Sequence, residues 1–200
     1  MTAAILKAAK RPMARTGLVG AVAAITVGVF GAGMAGAADK ALTYRGEFPI
    51  IGAQQVKAVV HVDIPKSVKP GDTVDVPFSV DVDAGAAAGD GLRLVGTKVL
   101  SGDIKTAVKL TVSSGQSVPL SIALPIPETQ VPPQGPLTFT AKGGVKFTIP
   151  GGVPTGEAKI NVEPTVSSHI KTDSGLGEFD VPLKLDPPTQ DTLLGTTQVG

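Results

Sequence analysis

The chain has 200 residues, with 18 Lys and Arg against 17 Asp and Glu, no cysteine, no tryptophan and 4% aromatic residues. Lys7, Lys10, Arg11 and Arg15 all precede position 38, so residues 38–200 hold 14 cations against 17 anions, a net charge of −3. That balance argues against nucleic acid or an anionic membrane surface as partner, since both need a basic footprint. Without cysteine there is no disulfide and no cysteine-built zinc site, so burial alone must supply stability. Few aromatic side chains also disfavour the stacking platforms on which sugar-binding clefts rely.

The start of the chain reads as an export signal. Met1–Arg15 is basic with no acidic residue, Thr16–Phe30 is an uncharged apolar run interrupted by glycines, and Ala35-Gly36-Ala37 supplies the small-residue pattern that a signal peptidase accepts. Cleavage is expected after Ala37, with Ala38 as the rival site; an uncleaved membrane anchor is the alternative. No cysteine is present for lipid attachment, and the C-terminal residues 193–200 offer no apolar span or basic tail. The product is expected to be secreted or associated with the cell wall, without a stable membrane anchor after cleavage.

Residues 38–200 form the second expected region, long enough for one sizeable core or two small ones. Alternation with a period of two dominates it, which is the mark of strands with one face buried. In residues 55–64, Val56, Ala58, Val60, Val62 and Ile64 share a face. In residues 73–83, Val74, Val76, Phe78, Val80 and Val82 oppose Asp75, Ser79, Asp81 and Asp83. Residues 104–112 and 118–126 repeat the pattern. Shorter candidates are 42–50, 92–100, 137–141, 145–149, 158–162 and 178–185. Gly85–Gly89 contains three alanines and is compatible with a turn of helix. Proline and glycine separate the segments because proline lacks an N–H and glycine turns the chain. About ten strands with no crossover helices predict an all-β antiparallel β-sandwich, immunoglobulin-like, as one elongated sandwich or two small stacked ones. If there are two, the joint lies within 113–136.

Catalytic chemistry is hard to place. Hydrolysis by a triad needs a nucleophile, a base and an orienting acid. The two histidines read as surface residues: His61 lies on the outward face of a strand, and His169 sits in a polar stretch. No G-x-S-x-G elbow occurs, and Asp173-Ser174-Gly175 reads as a turn. Asp75, Asp81, Asp83 and Asp90 raise the question of calcium, but the spacing lacks the glycine and distal glutamate of an EF-hand loop. A solvated strand face, whose charge deters edge-to-edge aggregation, accounts for them better. Asp81 and Asp83, as neighbours two apart without an aromatic cleft, make a poor glycosidase pair. The expected set of catalytic, cofactor-binding and metal-ligating residues is therefore empty, and no cofactor is expected.

Several short motifs carry a resemblance. Leu42-Thr43-Tyr44 with Phe48-Pro49, Gly91-Leu92-Arg93-Leu94-Val95-Gly96, Val131-Pro132, Gly175-Leu176-Gly177 before Val181-Pro182, Leu185-Asp186-Pro187 and Gln190-Asp191-Thr192 follow in order. Together they make residues 42–199 similar to the actinobacterial secreted domain-of-unknown-function 6801 family. The resemblance implies an exported β domain from an actinobacterial source and is silent on mechanism. Many members carry a cysteine near each end that could pair; Gly46 and Leu183 stand at those places here.

The leading expectation is a non-enzymatic extracellular domain with a structural or partner-binding role, the partner being a protein or a cell-wall component. An enzyme inhibitor or enzyme is second, and a calcium-dependent adhesin third. Contacts would come from sheet edges and the longest loops, 85–91 and 125–136.

Overall fold

A computed structural model describes residues 37–200; the signal peptide expected over residues 1–37 lies outside the described residues except for Ala37. Alternating apolar residues make strands throughout, in the order β1 (Ala37–Phe48), β2 (Gly52–Asp63), β3 (Ser67–Val68), β4 (Thr73–Ala84), α1 (Gly85–Leu94), β5 (Val99–Val112), β6 (Ser117–Gln130), β7 (Leu137–Thr148), β8 (Gly156–Val162), β9 (Thr165–Thr172), β10 (Glu178–Leu185) and β11 (Leu193–Val199). The protein is all-β apart from α1. No described helix is long and apolar enough to cross a membrane.

The ladders join all eleven strands into one large open sheet, where the sequence pattern suggested two separately bonded sheets. Its order is β3-β11-β8-β5-β9-β10-β1-β2-β4-β7, with β6 attached to β5. The sheet branches because β5 is long enough to serve two neighbours on one edge. Leu100–Lys105 pair with β9, Val108–Val112 pair with β8, and the opposite edge pairs with β6. A main core lies under the long arm, and a smaller one, containing Val68, Leu110, Ile149, Ala158 and Val199, lies under the β8-β11-β3 arm. Val74, Leu120, Phe147 and Ile160 pack against both. The segment 113–136, where a joint was considered, contains all of β6, whose ladder with β5 runs from Val99 to Thr111.

Four local expectations change. Residues 92–94 belong to α1 and not to a strand: Leu92 is 8% exposed and Leu94 78%, whereas a strand would set both on one face. The supposed loop 85–91 is therefore helical, started by the helix-favouring Ala86–Ala88. Residues 125–130 are strand, and the turn that follows is held by Arg93, whose guanidinium donates to the Pro132 carbonyl at 2.7 Å. The candidates 137–141 and 145–149 fuse into β7. Gly143 between them marks a close approach and not a turn, since a Cβ there would lie 2.9 Å from Leu124 Cδ2 of β6. β6 and β7 thus come together without a ladder, which curls the sheet around the core. β6 also carries Pro119, Pro125 and Pro127, as suits a strand with one ladder only.

Inward Phe78, 6% exposed, and outward Asp81 lie on the faces that alternation assigns. Phe78→Ala should cost about 3–5 kcal/mol by chemical denaturation, as large-to-small core changes do. Asp81→Ala should cost under about 1 kcal/mol, because its contacts are exposed.

Candidate functional site

The polar side chains assemble on the outer face of the sheet. His61 in β2 has Asp39 of β1 on one side and Asp81 of β4 on the other, with Nδ1 2.7 Å from Asp39 Oδ1 and Nε2 3.0 Å from Asp81 Oδ2. The register makes the row: Asp39 faces His61 directly, and Asp81 faces Thr140 of β7. The hydrogen bond to Asp39, then that to Asp81, raises the His61 pKa above its ordinary 6.5 against a smaller opposing effect of burial. Asp81 is held below the usual carboxylate range, first by the Thr140 hydroxyl, which donates at 2.6 Å, and then by His61.

His169 in β9 repeats the arrangement. Its Nδ1 is 2.8 Å from Asp180 Oδ1 and its Nε2 3.3 Å from Glu178 Oε2, both on β10. Asp180 foremost raises the His169 pKa, and Lys171, 3.1 Å from Glu178, holds that carboxylate low. Both histidines are thus carboxylate-clamped surface groups.

The acidic residues weighed for calcium go separate ways. Asp75 pairs with Lys146 at 3.5 Å, Asp81 belongs to the His61 row, Asp83 accepts the Gly85 N–H at 2.9 Å, and Asp90 pairs with Arg93. Among the described residues no group of three or more His, Cys, Asp or Glu side chains could hold a metal ion. Asp173 caps a turn, accepting the Lys98 and Val99 N–H groups at 2.9 and 3.1 Å, which lowers its pKa.

One spacing escaped the sequence reading. Ser168-His169-Ile170-Lys171 has the S-x-x-K form of certain serine enzymes. On a helix, residues three apart meet; on a strand they point to opposite faces. Here Ser168 is buried and Lys171 is exposed beside Glu178, so they do not work together.

Inside the curled sheet lies a cavity of about 100 Å³. Its wall is apolar except for Tyr44, Thr106 and Ser168. Thr106 bonds the Thr165 carbonyl at 3.4 Å, a long contact. Tyr44, 4% exposed, has no hydrogen-bond partner among the described residues, and desolvation pushes its pKa up to about 12. Its hydroxyl is nevertheless not one of the fully buried unpaired atoms, so it stays open to a small hydrogen-bonding molecule. The sequence offered a signal, since Tyr44 is the lone tyrosine and sits on an apolar strand face. What was not legible is that this face encloses a void.

The profile of the family of unknown function DUF6801 matches residues 43–195. The chain belongs to this family. Comparison with curated proteins and with solved structures finds no match. In this DUF6801 domain Gly46 and Leu183, where the resemblance places family cysteines, are direct partners across β1 and β10. The space over Gly46 is filled by the Leu183 side chain: a Cβ at 46 would lie 2.6 Å from Leu183 Cδ2 and 2.8 Å from the Pro182 carbonyl. Gly46→Ala should therefore destabilise by about 1–3 kcal/mol through overpacking, measured by urea unfolding.

The clamps also set a pH dependence. Raised histidine pKa values stabilise the fold below about 6.5, and this contribution fades as pH rises through the folded-state values. The lowered Asp81 and Glu178 values contribute above about 4, and that is lost as pH falls through their folded-state values. Both clamps are most favourable in the mildly acidic window between. By proton NMR both imidazoles should titrate above 6.5, and Asp39→Asn should lower the His61 midpoint while leaving His169 unmoved.

Proposed function

We propose that this DUF6801 protein is a non-enzymatic domain of the cell exterior, secreted or held at the wall, with a structural or partner-binding role. The single observation that supports it most is the placement of its ionisable side chains. Both histidines and the acidic residues around them lie on the open outer face, whereas the interior is apolar. An exposed carboxylate or imidazole gains little of the pKa shift that catalysis exploits. Recognition at the surface is what such a face can do, with an uncharacterised protein or wall component as partner and no nucleic acid.

In this reading the curled sheet is akin to an immunoglobulin-like sandwich. Its ladders, antiparallel except for the short β3–β11 pair, and the approach of β6 to β7 across the core support that kinship. Ile50 and Leu94, 55% and 78% exposed, offer apolar contact points for a partner. They share one end of the fold, since Ile51 packs against Gly91 of α1. An actinobacterial source and removal of residues 1–37 complete the proposal. β1 would then begin at Ala38, which pairs with Val62.

Sequencing of the protein recovered from culture medium should begin at Ala38 or Asp39; recovery of the full-length chain only, in membranes, would overturn export. His61→Ala and His169→Ala should leave partner capture by the folded domain within about twofold, because exposed ion pairs contribute little. A hydrolytic activity abolished by either substitution, with folding intact, would defeat the non-enzyme reading.

A further inference from the structure

The interior cavity is a better-defined site than any patch on the surface, and of its wall the proposed surface role uses only the exposed rim residue Ile50. No charged side chain lines it, so an ionised ligand would lose its hydration without compensation. Two of its three polar wall residues, Tyr44 and Ser168, are more than nine-tenths buried and have no hydrogen-bond partner among the described residues. Neither hydroxyl is sealed off, since the fully buried unpaired polar side-chain atom among the described residues is Asp103 Oδ2, so both stay open to a small guest or to water. A volume of about 100 Å³ is several times the share of one water, and of the order of the roughly 150 Å³ apolar cavity known to take benzene. It falls short of the roughly 300 Å³ at which pockets for drug-sized ligands begin.

We propose that this cavity binds a small neutral apolar molecule bearing one hydroxyl or carbonyl oxygen, with the Tyr44 hydroxyl as its hydrogen-bond anchor. Apolar burial supplies affinity, and the single polar contact supplies discrimination, because an analogue lacking the oxygen leaves Tyr44 unpaired. The way in is the β1–β2 turn. Phe48, Pro49, Ile50 and Ile51 line the cavity, yet Ile50 is 55% exposed, so the wall reaches the surface there. Ile50 also has φ of 73°, a conformation that β-branched residues avoid, and such strain collects at ligand clamps. Helix α1 closes the same end, with Ala88, Gly91 and Leu92 in the wall. Ile50 belongs both to this wall and to the proposed partner surface, but the anchor Tyr44 is interior, so surface recognition stands whether or not the cavity takes a ligand.

The test uses cyclohexanol and methylcyclohexane, which match in shape and differ by a hydroxyl for a methyl. The full chain is titrated with each, and the unfolding temperature and the tyrosine fluorescence are recorded. With one tyrosine and no tryptophan, that fluorescence reports Tyr44 alone. Saturable stabilisation by both probes is expected, with cyclohexanol the tighter. Tyr44→Phe should weaken cyclohexanol about tenfold, the worth of one hydrogen bond, and leave methylcyclohexane unchanged. If that variant does not fold, a saturable fluorescence change with cyclohexanol and none with methylcyclohexane in the unaltered protein carries the same support. Absence of saturable stabilisation by either probe, equal weakening of both by the substitution, or identical fluorescence responses would overturn the proposal.

Discussion

β5 is the element on which the rest depends. At roughly 3.3 Å per residue its 14 residues extend about 46 Å, enough to pair β6 along one edge and both β9 and β8 along the other. The change of partner occurs at Ala107, whose carbonyl accepts the Glu163 N–H at 2.9 Å from the β8–β9 connection. The two arms diverge from that point, each burying its own apolar side chains. Without the shared strand, the β8-β11-β3 arm would be a small sheet with too few apolar residues to stand alone.

Curling follows from branching. Strands β9, β10, β1, β2, β4 and β7 extend from β5 until β7 meets β6, with Leu124 resting on Gly143. The enclosed faces are rich in valine and alanine, such as Val56, Ala58, Val60, Val80 and Val82. Small side chains around a wide curl underfill it, and α1 covers one end without filling the middle. The cavity is thus a geometric result of a strongly curved sheet, and Tyr44 is the aromatic residue of its wall that carries a hydroxyl, beside Phe48, Phe78, Phe139 and Phe179.

The outer face obeys a different rule. Carboxylates, imidazoles and lysines sit on neighbouring strands where register brings opposite charges together, as in the Asp39, His61, Asp81 and Thr140 row. Each pair is exposed and contributes little. Collectively they keep the outer face of the sheet charged and solvated.

By itself the sequence determined the strand faces, because a two-residue period leaves no freedom about which side chains share a side. Val56 to Ile64, Val76 to Val82 and Ile122 to Ile126 are buried as alternation requires, and His61 and Asp81 lie outward. It also carried the family, since the motifs from Leu42 to Thr192 are short, ordered and local. It did not carry β9, whose Ser167, Ser168 and His169 interrupt the apolar pattern, nor β11, whose Gly195, Thr196 and Thr197 do the same. Pairing between distant strands was beyond it as well. Gly46 meets Leu183, and β5 takes three partners, only because ladders form between segments far apart in the chain, where no local period records the match. The cavity belongs to this second class: an inward face looks the same in sequence whether it packs solidly or surrounds a void, and the curvature of the whole sheet decides between them.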